Sequence, residues 1–524
     1  MAAALVGLHL VLALLCFVPS PFTGGDNATY VSLARSLLER GDYTELWDPS
    51  LRPHVNYPPV FPALLGLMIA AGAGSWVAFK LLVVAFSAAA VGLSYLWLRR
   101  VAAPGVALAV GMLLAISPGV LELSHYELSD IPFWTFTVLA LWAYAHLPGH
   151  PAASPGAAEE DGRAWRWAAL AIVATLLAYF TRSAGLPLLL AGGAWLALRR
   201  RWRELALLGV VVGIPTLLWW ARSQAAKAPG YLNTFWIDYL DPEAGSIGVL
   251  GLVPRAVENA RVYVTTYLPG LATTGIWRTE WPASAAFAAF VGLAMVGWAR
   301  RIRHPGVAEL FFPLYLGLML VLPGAWQAHR YALPLLPLVL LYAFETLHAM
   351  LERARRPALL GVVAAVLCLA AVPAIVRQAR SGTACSARYL RGDRLACLDD
   401  GWRDSFTLAE RTRGRLPAGS VVLSRKPTLF YALSRYRSRQ YPFVPRPDAW
   451  LATAREAGAA YLLADRVTPQ STIYLDPLLR SRRLRLCTVP GLTVGRASVL
   501  RMDTTALVAP GAAPPPTTPC ASDH

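Results

Sequence analysis

Charged side chains are scarce in this chain. Aspartate, glutamate, lysine and arginine make up 15% of its 524 residues, whereas soluble domains average about 25%. Hydrophobic residues account for 56% of the sequence. This balance argues against a soluble protein and predicts a chain that crosses a membrane several times.

Acidic residues are fewer than basic ones, 31 against 48, which leaves a formal net charge of +17. Such an excess suggests nucleic-acid binding until the positions are considered. The basic residues cluster at the ends of apolar segments: Arg99-Arg100; Arg199-Arg200-Arg201 with Arg203; Arg300-Arg301 with Arg303; and Arg353 with Arg355-Arg356. Because the sequence has no basic stripe with interleaved aromatic residues, we expect a lipid bilayer as the partner and no nucleic acid.

About eleven apolar segments are long enough to cross a bilayer, at 3–22, 75–98, 104–121, 131–147, 167–181, 184–198, 205–221, 283–299, 307–323, 332–350 and 357–376. Basic clusters follow the second, sixth, eighth and tenth of them, which places the N-terminus in the cytoplasm. The loops at 23–74 and 222–282 and everything after 377 then lie outside. The expected fold class is mainly α: a polytopic membrane helical bundle over residues 1–376.

The pattern changes after residue 377. Short apolar runs at 420–424 and 459–464 alternate with helical stretches at 403–415 and 447–457, which predicts a small extracytoplasmic α/β domain over 377–505. Residues 506–524, rich in Pro, Thr and Ala, are predicted to form a disordered tail, and 148–163 a flexible cytoplasmic loop.

Four of the six cysteines fall in this outer region, where disulfides can form: Cys385, Cys397, Cys487 and Cys520. Three pairings are possible, and Cys385–Cys397 with Cys487–Cys520 is one of them. None of the cysteines has metal-ligand spacing with a histidine, which argues against a zinc-finger site.

The first outer loop, residues 23–74, carries Asp26 directly after the first apolar segment. Ionisable residues at a membrane edge are usually functional. Residues 29–40 have helical spacing with one apolar face and Gly41 as a stop, which predicts an interfacial helix. Asp26 would lie just before this helix. A cap formed by Asp26 or Asn27 is the plain alternative, and we favour a functional carboxylate.

Other outer turns carry further candidates. The second outer loop, 122–132, contains three carboxylates and a histidine; of these, Asp130 could also cap the next helix. Acidic neighbours around Asp26 would raise one pKa or bind a divalent cation. Arg182 lies at the turn between two spans, where it would snorkel to headgroups or bind substrate. Arg330, with its sequence neighbours, favours binding an anion with a lipid tail, such as a polyprenyl phosphate.

Several motifs resemble a known family in content and order: Gly25-Asp26-Asn27-Ala28-Thr29-Tyr30 with Leu33-Ala34-Arg35 and Gly41-Asp42-Tyr43; Tyr57-Pro58-Pro59-Val60-Phe61-Pro62; Ser129-Asp130-Ile131-Pro132; Thr181-Arg182; and His329-Arg330-Tyr331 with Pro334 and Pro337. The chain is similar to the bacterial C-type membrane glycosyltransferases of the family 39 type, the branch that contains protein O-mannosyltransferases and aminoarabinose transferases. The resemblance covers parts of the membrane domain, and it extends only loosely to the region after residue 377.

The resemblance implies a multi-span enzyme of the bacterial cytoplasmic membrane that uses a polyprenyl-phosphate sugar outside the cytoplasm. Asp26 then corresponds to the catalytic carboxylate of the first loop, and Asp130 to the acidic residue after the third span. One position departs from the family pattern. Many relatives have Asp-Glu where this chain has Asp26-Asn27, so whether a divalent cation takes part is left open.

The expected reaction is transfer of the sugar to a lipid, glycan or protein acceptor with inversion at the anomeric centre. Asp26 is expected to act as the base and Asp130 as a second catalytic carboxylate. The residues expected to bind the donor phosphate or substrate are Arg182, His329, Arg330, Tyr331, Tyr57 and Glu127. If the acceptor is itself a phosphate, Asp26 would orient a partner or bind metal instead. The alternatives are a lipid or glycan transporter without transfer chemistry and a structural membrane protein.

Overall fold

The computed structural model describes residues 1–152, 161–226, 230–231, 235–238, 240–241, 243, 245–276, 281–326, 328–508 and 520. Half of the loop predicted at 148–163 and most of the tail predicted at 506–524 lie outside these residues.

Helices form the first three quarters of the chain. In chain order they are α1 Ala2–Leu15, α2 Asp26–Arg40, α3 Val60–Ala70, α4 Trp76–Val101, α5 Pro104–Ile116, α6 Pro118–Leu123, α7 Asp130–Tyr144, α8 Asp161–Thr181, α9 Leu186–Leu198, α10 Trp202–Leu208, α11 Ile214–Ala225, α12 Leu252–Val262, α13 Trp281–Arg301, α14 Val307–Val321, α15 Leu336–Arg353 and α16 Leu359–Leu390. A 3₁₀ segment, His329–Leu335, leads directly into α15.

Each predicted membrane segment overlaps one of these helices. Among the described residues, five helical stretches are long and apolar enough to cross a membrane: Trp76–Val101, Ala164–Thr181, Trp202–Ala225, His329–Arg353 and Leu359–Leu390. Shorter apolar helices stand beside them. The mainly helical, apolar architecture is therefore confirmed, whereas the number of about eleven spans and their orientation stay predictions.

Local chemistry explains several helix ends. Ser75 caps α4, because its hydroxyl accepts from the Ala78 amide at 3.2 Å. At the other end of α4, Arg99 and Arg100 complement the helix dipole. Pro104 and Pro118 stand in the first turns of α5 and α6, where a missing amide hydrogen costs nothing.

The helix predicted at 29–40 is confirmed, with two differences at its start. It begins at Asp26, so this residue is the first of α2 and does not precede it. Gly25 occupies the N-cap position with φ +98°, and no side chain caps the helix. The capping interpretation of Asp26 and Asn27 is therefore wrong. Gly41 ends the helix with φ +69°, a conformation that favours glycine.

The C-terminal region, predicted to lie outside the cytoplasm and called the outer domain below, contains a five-stranded sheet. Its strands are β1 Val421–Ser424, β2 Arg437–Gln440, β3 Ala459–Ala464, β4 Leu486–Val494 and β5 Ala497–Met502, in the spatial order β2-β1-β3-β5-β4. Strand β1 is parallel to β2 and β3, whereas β5 is antiparallel to β3 and β4. The surrounding helices are α17 Asp400–Thr412, α18 Pro427–Ser434, α19 Pro447–Ala457 and α20 Asp476–Ser481.

The two predicted strands and two predicted helices of this region are confirmed. Strand β2, Arg-Ser-Arg-Gln, escaped prediction because it is a polar edge strand without an apolar run. Helix α16 continues to Leu390, so the domain boundary predicted at 377 falls inside one continuous helix. The disulfides are Cys385–Cys397 and Cys487–Cys520, which selects one of the three possible pairings.

The outer domain is docked on the first outer loop. The Ser438 amide donates to the Trp47 carbonyl at 2.7 Å, and Arg439 pairs with the buried Asp48 at 3.1 Å. Helix α18 packs against α2. In this arrangement the chain that follows β1 reaches the start of α2, where Asp26 lies.

Candidate active site

The Asp26 side chain lies in a cluster of charged and aromatic side chains. Its Oδ2 accepts from Arg330 Nη2 at 2.8 Å, and its Oδ1 accepts from the Tyr57 hydroxyl at 3.1 Å. Burial acts to raise the pKa of Asp26, but Arg330, Lys426 and Tyr57 outweigh it and hold the pKa below the usual value. The side chain keeps 29% of its surface exposed. Asp26 is thus an ionised carboxylate that a second molecule can reach.

Asp130 forms the second ion pair of the cluster. Its Oδ1 accepts from Arg182 Nη1 at 2.7 Å, and its Oδ2 lies 3.8 Å from Arg330 Nη1. Arg330 therefore bridges the two carboxylates. Asp130 is only 4% exposed, so of the two acids it is Asp26 that can meet an incoming acceptor. Asp130 instead orients the guanidinium groups.

Aromatic rings fix the positions of these charges. The Tyr331 ring lies under both guanidinium groups, with Arg182 Cζ 4.9 Å and Arg330 Cζ 5.2 Å from its centroid. The rings of Tyr30 and Tyr57 pack at a tilt, with centroids 4.8 Å apart, and the Tyr30 hydroxyl is 2.7 Å from Ser129 Oγ. Burial and the neighbouring Asp26 charge raise the pKa of Tyr57, so it stays a hydrogen-bond donor to that carboxylate.

Lys426 and Thr428, from the outer domain, reach the turn that precedes Asp26. Lys426 Nζ donates to the Gly24 carbonyl, and Thr428 Oγ1 donates to the Gly25 carbonyl at 3.0 Å. Sequence analysis missed both residues. The available signal was their place directly after the predicted strand 420–424, since side chains at the carboxyl ends of parallel strands often form sites.

Two expected site residues stand outside the ion cluster. Glu127 is fully buried behind the Asp26 turn, where it accepts from the Phe22 amide and from Asn27 Nδ2, both at 3.2 Å. Its remaining oxygen lies 3.7 Å from Lys80 Nζ. His329 packs against the ring of Tyr267, with centroids 4.7 Å apart. The structure brings together the other six: Asp26, Asp130, Arg182, Arg330, Tyr331 and Tyr57.

The arrangement suits an anion better than a metal. Arg182, Arg330 and Lys426 against Asp26 and Asp130 leave one net positive charge. Both carboxylates already accept from guanidinium groups, and Asn27 turns its amide nitrogen to Phe22 and Glu127. Within the described part of the chain, no group of three or more His, Cys, Asp or Glu side chains is placed to hold a metal. Both carboxylates are therefore engaged by guanidinium groups, and the donor set favours an anion over a divalent cation.

The fold defines a structural class. The chain has the fold of the C-type membrane glycosyltransferases, a helical membrane domain followed by a small outer domain, so the resemblance found in the sequence motifs is confirmed at the level of the fold. No protein-family model matches the sequence, and no curated protein matches it either.

Solved structures supply the individual likenesses. An oligosaccharyltransferase from Archaeoglobus fulgidus, crystallised with zinc and sulfate, superposes with a TM-score of 0.57 at 15% identity over 94% of this chain and 72% of that one. ArnT from Cupriavidus metallidurans superposes in its apo state with a TM-score of 0.52 at 16% identity, over 95% and 97% of the two chains. ArnT bound to undecaprenyl phosphate matches equally well, with a TM-score of 0.52 at 15% identity over 95% and 97% of the chains.

Proposed function

We propose that this protein is a membrane glycosyltransferase that moves a sugar from a polyprenyl-phosphate donor to an extracytoplasmic acceptor. The observation that carries the proposal is the Asp26–Arg330 pair at 2.8 Å, joined through Arg330 to the Asp130–Arg182 pair. Guanidinium groups bind phosphate with paired hydrogen bonds, and the site has net positive charge to receive it. That ArnT, with the same fold, was solved with undecaprenyl phosphate supports this choice of donor.

The proposed reaction is a single displacement. The acceptor oxygen attacks the anomeric carbon, the bond from that carbon to the phosphate oxygen breaks, and the phosphate leaves with the electron pair. The acceptor proton passes to Asp26, the more exposed of the two carboxylates. Arg330 and Arg182 stabilise the negative charge that develops on the leaving phosphate. Attack opposite to the leaving group inverts the anomeric centre.

Arg330 links the two halves of this reaction. In the free enzyme it binds Asp26 and holds the pKa of that carboxyl low. An incoming phosphate shares the guanidinium, which weakens its hold on Asp26 and raises the proton affinity of the carboxylate. The base therefore becomes stronger when the donor is in place. Tyr331, under both guanidinium groups, keeps them in position during this exchange.

The remaining expected residues receive supporting roles. Tyr57 orients Asp26 through its hydroxyl. Glu127 has an indirect role, because it anchors Asn27 and the backbone of the turn and does not touch the site. We place the site on the outer face of the bacterial cytoplasmic membrane, with the N-terminus in the cytoplasm. The acceptor is a lipid, a glycan or a protein; with a phosphate acceptor, already ionised, Asp26 orients a partner instead of taking a proton.

The test is an assay of the purified full-length protein with a panel of polyprenyl-phosphate sugars, following loss of the donor by mass spectrometry. We expect turnover with at least one donor and a loss on the order of 10²–10⁴-fold in Asp26→Asn. Glu39→Gln is the matched control, since Glu39 is an exposed carboxylate on the same helix. Wild-type activity in Asp26→Asn would refute the base role, and no turnover with any donor would favour a transporter.

A further inference from the structure

The outer domain contributes a cation to the turn that carries Asp26. Lys426 lies between β1 and α18, and its Nζ donates to the carbonyl of Gly24, two residues before Asp26. The next carbonyl, that of Gly25, accepts from Thr428 at 3.0 Å. Two consecutive carbonyls of the first outer loop are thus held by two side chains of another domain.

This contact matters because the turn requires an unusual backbone conformation. Gly25 has φ +98°, a left-handed conformation from which the chain enters α2 without any side-chain cap. The position is also tight, since a Cβ atom on Gly25 would lie 3.3 Å from Lys426 Cδ. Lys426 and Thr428 therefore stabilise the backbone geometry in which the Asp26 carboxylate meets Tyr57 and Arg330.

We infer that Lys426 is a positioning residue for the proposed sugar transfer, which fixes the Gly24-Gly25 turn and adds a positive charge beside Asp26. The inference rests on the proposed function and extends it, because it makes the outer domain part of the catalytic unit. A lysine in this place acts on the reaction through Asp26 and does not touch the donor.

The charges around Lys426 come from every element packed near it. Arg425 is its chain neighbour and donates to Thr468 Oγ1 at 3.0 Å. Asp26 and Arg330 face it from α2 and from the segment before α15. Asp465, at the end of β3, lines a small crevice together with the Lys426 side chain. Burial and the two arginines lower the pKa of Lys426 to about 8, although Asp26 acts in the opposite direction.

Protonation of Lys426 consequently changes close to physiological pH. Below pH 8 the ammonium group supports the ionised form of Asp26, so loss of Lys426 should raise the pKa of that carboxyl. Above pH 8 the wild-type lysine itself loses its charge. An arginine at this position would stay charged throughout.

Three variants separate the effect of the Lys426 charge from the effect of the hydrogen bonds to the turn. Lys426→Met removes the charge and the hydrogen bond, Lys426→Arg keeps a cation, and Thr428→Val removes the neighbouring uncharged hydrogen bond to Gly25. We expect Lys426→Met to lower kcat/KM on the order of 10–100-fold, as for a misplaced catalytic group, and to move the acidic limb of the pH profile to higher pH. Lys426→Arg should restore that limb and abolish the fall in activity above pH 8. Thr428→Val should slow the reaction and leave the acidic limb in place.

A second measurement needs no turnover. Carbodiimide reacts with protonated carboxyl groups, so labelling of Asp26 against pH, read by peptide mass spectrometry, reports its protonation directly. Thermal unfolding of each variant shows whether it is folded before labelling. We expect the labelling of Asp26 to extend to higher pH in Lys426→Met and to return to the wild-type range in Lys426→Arg.

The outcomes distinguish this inference from the proposed function. If wild-type protein turns over no donor but the labelling shifts as expected, the sugar-transfer proposal fails and the electrostatic role of Lys426 stands. If the enzyme is active and folded Lys426→Met shows an unshifted labelling curve and an unshifted acidic limb, Lys426 is not a positioning residue for Asp26.

Discussion

Replacing Arg330 by glutamine tests the centre of the proposed site. Arg330 donates to Asp26 at 2.8 Å, lies 3.8 Å from Asp130 and stacks on Tyr331, with its guanidinium carbon 5.2 Å from the ring centroid. Glutamine keeps a polar group of similar reach but carries no charge. Two carboxylates that share one bridging cation then repel each other more strongly.

The magnitude follows from how far the pair is buried. Breaking a fully buried ion pair costs about 3–5 kcal/mol, and an exposed pair contributes at most about 1 kcal/mol. The side chains of Arg330 and Asp26 are 19% and 29% exposed, so the pair lies between these limits. We expect a stability loss of about 2 kcal/mol. Loss of a donor that stabilises charge in the transition state costs more, about 2.7–4 kcal/mol, or on the order of 10²–10³ in kcat.

The assay combines kcat and KM for the donor with thermal unfolding in the same detergent. Activity should fall by far more than the fraction of unfolded protein explains. The acidic limb of the pH profile should move to higher pH, because the largest charge that holds the pKa of Asp26 down is gone. Arg40→Gln is the control: Arg40 is an exposed arginine of α2 that pairs with Asp42 at 3.0 Å, outside the site. A kcat/KM of Arg330→Gln within threefold of wild type would refute the assignment.

Two further substitutions test the turn and the outer domain. Gly25→Ala should lower stability by about 1–2 kcal/mol and remove most of the activity, because Gly25 has φ +98° and lies beside Lys426. Gly41→Ala, at φ +69° in open space, is the control and should lower stability alone. Stability and turnover of both variants are measured, and an active Gly25→Ala would contradict the prediction. Burial raises the pKa of Asp465 from 3.8 to about 6, so the folded state retains a proton that the unfolded chain releases, and stability falls as pH rises from about 4 to 6. Asp465→Asn can still accept the hydrogen bond from Ser405, so this variant should be more stable than the wild type by about 3 kcal/mol at pH 7 and no more stable below pH 4. Equal melting temperatures of the variant and the wild type at pH 7 would count against this prediction.

Features that depend on neighbouring residues could be predicted from the sequence, whereas features that depend on distant contacts could not. The apolar segments, the helix ending at Gly41 and the strands at 420–424 and 459–464 were found, since hydropathy and periodicity are properties of neighbouring residues. Strand β2 was missed because its side chains are polar and only its pairing with β1 makes it a strand. The predicted start of α2, residue 29, lies three residues after the observed start at Asp26, because contacts from elsewhere in the chain hold the first turn and no local cap marks it.

Hydropathy and motif patterns were enough to predict a helical membrane protein with a C-terminal α/β domain, and they singled out Asp26, Asp130, Arg182 and Arg330 as charges expected on the outer face. Which of these side chains contact one another became known only from the folded arrangement. Arg330 reaches Asp26 across 304 positions of the chain, and Lys426 reaches Gly24 across 402. Contacts at such separations depend on how helices and domains pack, and no local pattern encodes them. Packing also turned Asp26 from a plausible helix cap into a partly buried, ionised carboxylate held by cations from two distant parts of the chain.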